Sequence, residues 1–495
     1  MQAGDTTIVE SGYYSEKVVS TANGTASSPI TFLAQAGVTN DGFDMLKNYN
    51  VADGFNVTKD EVPVYEPGPG GAYVGFVISI SGVGNVLKNF QLGNISSTNG
   101  IANTNNYSFY NLAIGGAFNV VSNGNLFNIN ATVVNISGKS NLVVNCLINN
   151  TFGNDCFHAG GTNNIIRGCV VSNIVMAGAS DTGVHSDFVQ WAGSYGSSAR
   201  GLLVEQCTTY PGVYQICNLS QDGLDVGGYT FRNNLFLGAV LHASIYTHDT
   251  AFYNNILVDC GTNTSDPLFF YDAPATDRAT NCSVFNNLFI ECGDYDSQAN
   301  RGWYAVGAGV TNSFHADNNY VCGFNWAAKN TKTNDHAFLE PHGINGGNPG
   351  LVSFSFTNQL DWATNSHWFT NAGFHLLANS ILRNAGTNLS AIFATDKNNA
   401  VRPVGSAWDI GAYEYAPVVP VVNAILLSGR TNLIISGTNG LPNRNYLVLA
   451  STNLFLPPTN WMCLSTNSID GSGNFIFTNP ATPNTPRLFY LLQLQ

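Results

Sequence analysis

Charge is scarce in this chain. Only 10% of its 495 residues are Asp, Glu, Lys or Arg, and 31 acidic residues outnumber 18 basic ones, for a formal net charge of −13. That balance excludes the basic surface that nucleic acid binding demands. Long apolar runs are missing too, and none approaches the ~18 residues of a membrane span. The ten cysteines contain no CxxC pair, so no zinc ribbon or dithiol redox motif is written here. No heptad or sustained 3.6-residue periodicity marks a long helix. The chain opens Met1-Gln2-Ala3-Gly4 with no basic and apolar leader, from which we expect an exported protein in mature form with an added Met.

What is present is a polar, turn-rich chain that is still 44% hydrophobic, with 51 glycines and abundant Asn, Thr and Ser. That composition suits many short strands joined by turns. One pattern recurs through it. Aligning VLKNFQL, SFYNLAI, LVVNCLI, IIRGCVV, LVEQCTT, TFRNNLF, AFYNNIL, SVFNNLF and HADNNYV places Asn89, Asn111, Asn145, Gly168, Gln206, Asn233, Asn254, Asn286 and Asn318 in one column. The next column exchanges Cys146, Cys169 and Cys207 for Asn234, Asn255, Asn287 and Asn319. A strand, an Asn turn and a second strand, repeated at a variable period, predict a parallel β-helix whose coils stack ~4.8 Å apart with like residues in register. Asn suits the turn because it tolerates left-handed backbone. Cysteines stacked in a dry column need no disulfides. Arg167, Glu205 and Arg232 share the column before the Asn and predict an Arg-Glu-Arg surface ladder.

Gly4 to Gln35, GDTTIVESGYYSEKVVSTANGTASSPITFLAQ, resembles the opening coil of right-handed β-helix proteins of the pectate-lyase-like superfamily. NPGL (348–351), FHLLANSILRNAGTN (374–388), DKNNAVRP (396–403) and DIGAYEY (409–415) resemble the closing coils of secreted bacterial β-helix proteins. The expected fold is therefore all-β: a right-handed parallel β-helix over residues 1–415, a Pro/Val linker over 416–423 and a small β-sandwich over 424–495. The last segment, with NYLVLASTNL, Trp461 and PRLFYLL, resembles accessory domains at the ends of secreted bacterial enzymes. The resemblance implies a secreted or cell-surface location.

Solenoids carry chemistry where polar residues break the repeat. Aligning NDCFHAG (154–160) with SDFVQWAG (186–193) superimposes Asp155 on Asp187 and His158 on Gln190, with Phe157 and Val189 pointing inward. Asp181 and His185 precede Asp187 on the same approach. Paired carboxyls at ~5–5.5 Å or ~6.5–9.5 Å serve retaining or inverting glycoside hydrolysis, so Asp187, Asp155, Asp181 and His185 are the catalytic candidates. His158, Gln190, Trp191, Gln215, Tyr246, His248 and Tyr271 are expected to bind substrate, Trp191 either as a sugar platform or as core. Trp303, Tyr304 and Trp326 lie in insertions. No cofactor is called for; Asp222, Asp225 and Asp272 offer oxygens of the kind Ca²⁺ takes, but no repeated calcium motif is present.

The sequence thus points to a monomeric carbohydrate-active enzyme cleaving a polysaccharide, with hydrolysis ahead of elimination because the middle coils are rich in carboxylates. Elimination asks for a base and a cation to neutralise a uronate carboxyl. Lys139, in NISGKSNLVVN, resembles in context the catalytic lysine of alginate-lyase-like β-helix enzymes, although FHAGG stands where that family places an arginine one coil later. A non-catalytic adhesion rod is the competing class.

Overall fold

The computed structural model describes residues 1–58, 75–95, 109–129, 132–152, 155–175, 186–191, 199–219, 226–261, 266–272, 278–293, 304–322, 340–352, 371–417, 420–429, 432–440, 444–470, 472–480 and 487–494. Two compact units, Met1–Tyr415 and Ala416–Gln495, make up the chain.

The first unit is a right-handed parallel β-helix. Its first ladder is a 12-stranded parallel sheet running from Thr6–Val9 to His315–Asp317. A 22-stranded sheet supplies the other two sides. One of them, the second ladder, includes Leu147–Phe152, Val170–Val175 and Leu235–Leu237. The third ladder includes Thr132–Ile136, Phe157–Ala159, Val189–Trp191, Cys217–Leu219, Ala243–Ile245 and Leu268–Phe270. Each coil visits the ladders in that order. Among the described residues no helix is long and apolar enough to cross a membrane.

The turn from the first ladder to the second is made by one residue in left-handed conformation, and this is why the column is written in Asn. Asn89, Asn145, Gly168, Gln206, Asn233, Asn254, Asn286 and Asn318 all have φ between 51° and 63°. Asn tolerates this region better than other side chains, and Gly168 enters it without a Cβ. The file also includes Gly54 (φ 85°) and Asn123 (φ 54°). Asn111 does not belong to it. That residue is buried within the strand Phe109–Ile114 of the third ladder, because SFYNLAI shares the apolar pattern of the repeat but not its turn.

The following column is an internal amide ladder. Asn234, Asn255 and Asn287 each donate through Nδ2 to the Oδ1 of the next Asn, at 3.0, 2.9 and 3.0 Å, ending on Asn319. Asn319 in turn donates to Glu340 at 2.8 Å. Cys146, Cys169 and Cys207 continue the column toward the N-terminus, and all ten cysteines are unbridged thiols. A second ladder, Asn50, Asn85, Asn119, Asn141 and Asn164, fills the turn from the third ladder to the first. From Asn85 onward its sequence signature is GVGN, GAFN, GKSN and GTNN, a Gly three residues before the buried Asn.

Residues 371–415 do not add coils. They run back as a strap along the left-handed turns, antiparallel to the stacking. Asn318 donates to Ala385 O, Asn286 to Thr387 O, Asn233 to Thr395 O and Gln206 to Asp396 O, all at 2.8–2.9 Å. Turn-rich sequence with little strand pattern fits this task better than pairing. The residues of DKNNAVRP and DIGAYEY hold the strap shut. Arg402 and Glu414 form a fully buried ion pair at 2.7 Å, and Asp396 accepts the backbone N–H groups of Asn398, Ala400 and Glu414. Lys397 donates to Gln206 O and Cys207 O.

The second unit contains two three-stranded antiparallel sheets around Ile435, Tyr446, Val448, Ile469, Phe475 and Phe477. Its first strand, Val421–Ser428, begins inside the stretch expected as linker, because VVNAILL is strand-forming throughout.

Candidate active site

The third ladder reads apolar-polar-apolar in the five coils between residues 134 and 245: Val134-Asn135-Ile136, Phe157-His158-Ala159, Val189-Gln190-Trp191, Cys217-Asn218-Leu219 and Ala243-Ser244-Ile245. Alternation sends the flanking residues inward and the middle one out. Strand register stacks those middle residues in one file on the side away from the core, Asn135, His158, Gln190, Asn218, Ser244 and Phe269, of which Asn135, His158 and Ser244 are themselves buried (9%, 6% and 8% exposed). His158 and Gln190 therefore stack as the alignment of their coils predicts. Trp191 lies on the other side of its strand, 6% exposed within the main core cluster, so of its two expected roles the core one applies.

Asp155 and Asp187 occupy successive rungs at the entrance to this ladder, with Gln215 on the rung after. The Cys156 N–H donates to Asp187 O, and the Phe188 N–H to Gln215 O, at 2.8 and 2.9 Å. The Asp187 N–H donates to Asp155 Oδ1 at 2.8 Å, while Asp155 Oδ2 meets His158 Nε2 at 2.7 Å. Asp155 is 2% and Asp187 0% exposed. Their negative charges add to burial in pushing the neighbouring Cys156 thiol well up. Gln215 is buried and donates to His242 O and Ser244 Oγ at 2.6 and 2.9 Å. These three groups form an inner wall that braces the outward file. The two carboxyls do not flank an open face, so the paired-acid arrangement loses the geometry that glycoside hydrolysis needs. Asp181 and His185, and also Asp222, Asp225, Trp303 and Trp326, lie outside the described residues.

Beside the outward file runs a turn file, Val83, Ala117, Lys139, Thr162, Arg200, Gly227 and His248, bridged in parallel from coil to coil. It stays in register because glycines bring backbones into direct contact: a Cβ on Gly138 would lie 1.9 Å from Gly116 O, and one on Gly161 1.9 Å from Gly138 O. Lys139 and Arg200 are exposed and sit two rungs apart, about 10 Å, on either side of Thr162. Four residues before Thr162 in the same coil is His158. The imidazole thus lies on the rung between two cations. Arg200 passed unnoticed in the sequence because a long insertion separates it from Thr162, and only the register makes them neighbours.

His248 lies over Gly227 and pairs through Nδ1 with Asp249 Oδ2 at 2.6 Å. Burial pushes the Asp249 carboxyl up, but hydrogen bonds from Asn281 and His248 and the charges of His248 and Arg200 more than offset this and hold it below its ordinary value. Tyr246 and Tyr271 stack at 4.0 Å and 8° on adjacent coils. Asp272 pairs with Arg278 at 3.5 Å and accepts the Gly309 N–H at 2.6 Å, and no cluster of three His, Cys, Asp or Glu suited to a metal occurs among the described residues. The Arg167-Glu205-Arg232 ladder forms with N–O distances of 2.5 and 2.6 Å, but on the first ladder, where the strap covers it through Ile392 O and the Phe393 ring.

No family model matches the chain, and no curated protein matches it by sequence. Solved structures with similar shape include a mannuronic-acid-specific family 6 polysaccharide lyase from human gut microbiota, at 10% identity over 66% of this chain and 77% of that one, with a TM-score of 0.45. A family 6 polysaccharide lyase from Pseudopedobacter saltans is 14% identical over 70% and 88%, with a TM-score of 0.47. A lacto-N-biosidase of glycoside hydrolase family 136 from Eubacterium ramulus is 9% identical over 65% and 62%, with a TM-score of 0.36.

Proposed function

We propose that the β-helix unit is a carbohydrate-active enzyme that cleaves a uronate-containing polysaccharide by β-elimination on the face formed by the third ladder and its turn file. The observation that supports this reading is the buried Asp155–His158 pair, on the coil between the two whose turns carry the exposed Lys139 and Arg200. In β-elimination a base removes the C5 proton next to the uronate carboxylate, the C4=C5 double bond forms as the C4–O bond to the next sugar breaks, and the departing oxygen takes up a proton from the protonated base or from water. Charge that builds on the carboxylate must be neutralised. Asp155, itself anchored by the Asp187 N–H, pairs with Nε2 of His158 and so fixes the orientation of the ring proposed as the base. Lys139 and Arg200 supply the cations, one coil to either side. The acidic chain can still attract a polyanion here because the charges that matter are local.

The test is cleavage of a panel of neutral and uronate polysaccharides, followed by reducing ends and by ultraviolet absorbance of an unsaturated product. Both signals should rise together on a polyuronate. His158→Ala should lower kcat by about 10²–10⁴-fold, and Lys139→Ala or Arg200→Ala by about 10²-fold. Reducing ends without unsaturation would make the enzyme a hydrolase, and silence across the panel would favour an adhesion rod.

A further inference from the structure

The outward file is polar for five rungs and then becomes aromatic. Phe269 follows Ser244 in register, and two residues farther along each coil Tyr246 and Tyr271 take the positions that Ser137 and Gly160 hold in earlier coils. Phe269 and Tyr271 lie 4.2 Å apart by ring centroid, and His242 packs on both at 5.4 and 5.9 Å. The cluster is braced. His242 Nε2 meets the Tyr271 hydroxyl at 2.8 Å, and burial together with the Tyr271 hydroxyl holds Tyr246 in its neutral form. All four rings remain partly exposed.

Two outward aromatics of the first ladder have a cover, whereas Tyr13 and Phe118, on other coils, are exposed. Tyr253 and Phe285, on the first ladder, lie under the strap against Phe393 and Trp408. In the Tyr246–Tyr271 cluster the rings of His242, Tyr246, Phe269 and Tyr271 pack on one another, on the same face as the polar file and continuous with it. Half-exposed rings held at fixed angles, beside hydroxyl- and amide-bearing neighbours, suit the apolar face of a pyranose, since rigid tyrosines lose little entropy on binding.

We propose that Phe269, Tyr246 and Tyr271 form a distal sugar-binding shelf for the same polysaccharide. This rests on the reading of the third-ladder face as the substrate face. The shelf lies three to four rungs from His158, about 14–19 Å, which is several sugar units of an extended chain. The site then distinguishes long chains from short ones, since a chain too short to span from His158 to the shelf gains nothing from it.

The experiment measures, by calorimetry, binding of uronate oligomers (mannuronate, guluronate and galacturonate) and neutral oligomers (cello-, xylo- and laminari-series), from dimers to octamers. The proteins are the full chain, Tyr246→Ala, Tyr271→Ala and Tyr271→Phe, with cleavage rates recorded in parallel. For whichever series binds, each Ala variant should weaken the octamer about 3- to 10-fold and leave the dimer unchanged. Tyr271→Phe, which keeps the ring, should behave as the unaltered chain. Equal octamer affinity in all four proteins, equal weakening at every length, or no binding by any series would overturn the shelf. Length-dependent weakening without unsaturated product would keep the shelf and overturn the elimination chemistry. Cleavage with unchanged length dependence would do the reverse.

Discussion

The two halves of the β-helix use the same turn but finish it differently. In the N-terminal half the left-handed Asn file faces solvent, and Asn123 Nδ2 donates to Asn89 Oδ1 at 3.1 Å on an exposed surface. In the C-terminal half the equivalent side chains, from Gln206 to Asn318, are spent on the strap's carbonyls. One residue type thus serves as a turn former in one half and as a docking site in the other. The buried amide ladders change sides as well. Asn50 to Asn164 line the turn entering the first ladder, whereas Asn234 to Asn319 line the turn leaving it. The candidate active face lies where one scheme gives way to the other.

The largest effect should come from unlocking the strap. Arg402 and Glu414 have no exposed side-chain surface. Arg402→Met leaves the Glu414 carboxylate buried with only the Val404 and Asp409 N–H groups as partners, at a cost of about 3–5 kcal/mol. Thermal unfolding should register the loss, and limited proteolysis should cut first within residues 371–415. A variant that melts and resists protease like the parent would mean that the strap is not what separates the halves.

Next in size is the contrast between a buried and an exposed Asn. Asn255 accepts from both the N–H and Nδ2 of Asn234 and donates to Phe231 O and Asn287 Oδ1. Asn255→Ala orphans several buried groups and should cost about 3 kcal/mol in urea unfolding. Asn123→Ala should cost about 1 kcal/mol, chiefly for a Cβ without local hydrogen bonding at φ 54°, and Asn123→Gly should restore most of it. Equal costs for Asn255→Ala and Asn123→Ala would erase the distinction.

How much of this was legible in the sequence follows from the same contrast. The stacked Asn column, the Cys-to-Asn exchange and the pairing of Asp155 with Asp187 could be read because each coil repeats a strand-turn-strand signature, and register converts alignment into contact. Asn111 was misplaced because apolar pattern alone does not reveal backbone handedness. The strap was read as further coils because its Asp, Lys, Arg and Glu residues act through single long-range contacts, and nothing periodic announces them. Burial decided the site. Asp155 and Asp187 look alike as letters whether they face a groove or a wall, and Lys139 and Arg200 are far apart in number though register sets both beside Thr162.

The smallest expected effect distinguishes the ends of the two amide ladders. The N-terminal ladder stops at Asn164, which donates to the neutral carbonyls of Gly138 and Gly160. The C-terminal ladder stops at Glu340, which accepts from the Asn319 N–H, Asn319 Nδ2 and the Tyr304 hydroxyl at 2.9, 2.8 and 2.7 Å. Burial pushes the Glu340 carboxyl above its ordinary value, with Asp317 adding to the rise, and the bonds from Asn319 and Tyr304 only partly oppose it. A folded-state pKa above the unfolded ~4.3 means that the fold favours the protonated form. The corresponding stability is fully present below that unfolded value and is lost as pH rises through the folded one. Glu340→Gln should remove this component from the difference in unfolding free energy between about pH 4 and pH 7. Asn164→Ala should lower stability by a similar amount at both pH values, since no ionisable group ends that ladder. If Glu340→Gln and Asn164→Ala shifted the pH profile alike, the two ladder ends would not differ in charge as their partners require.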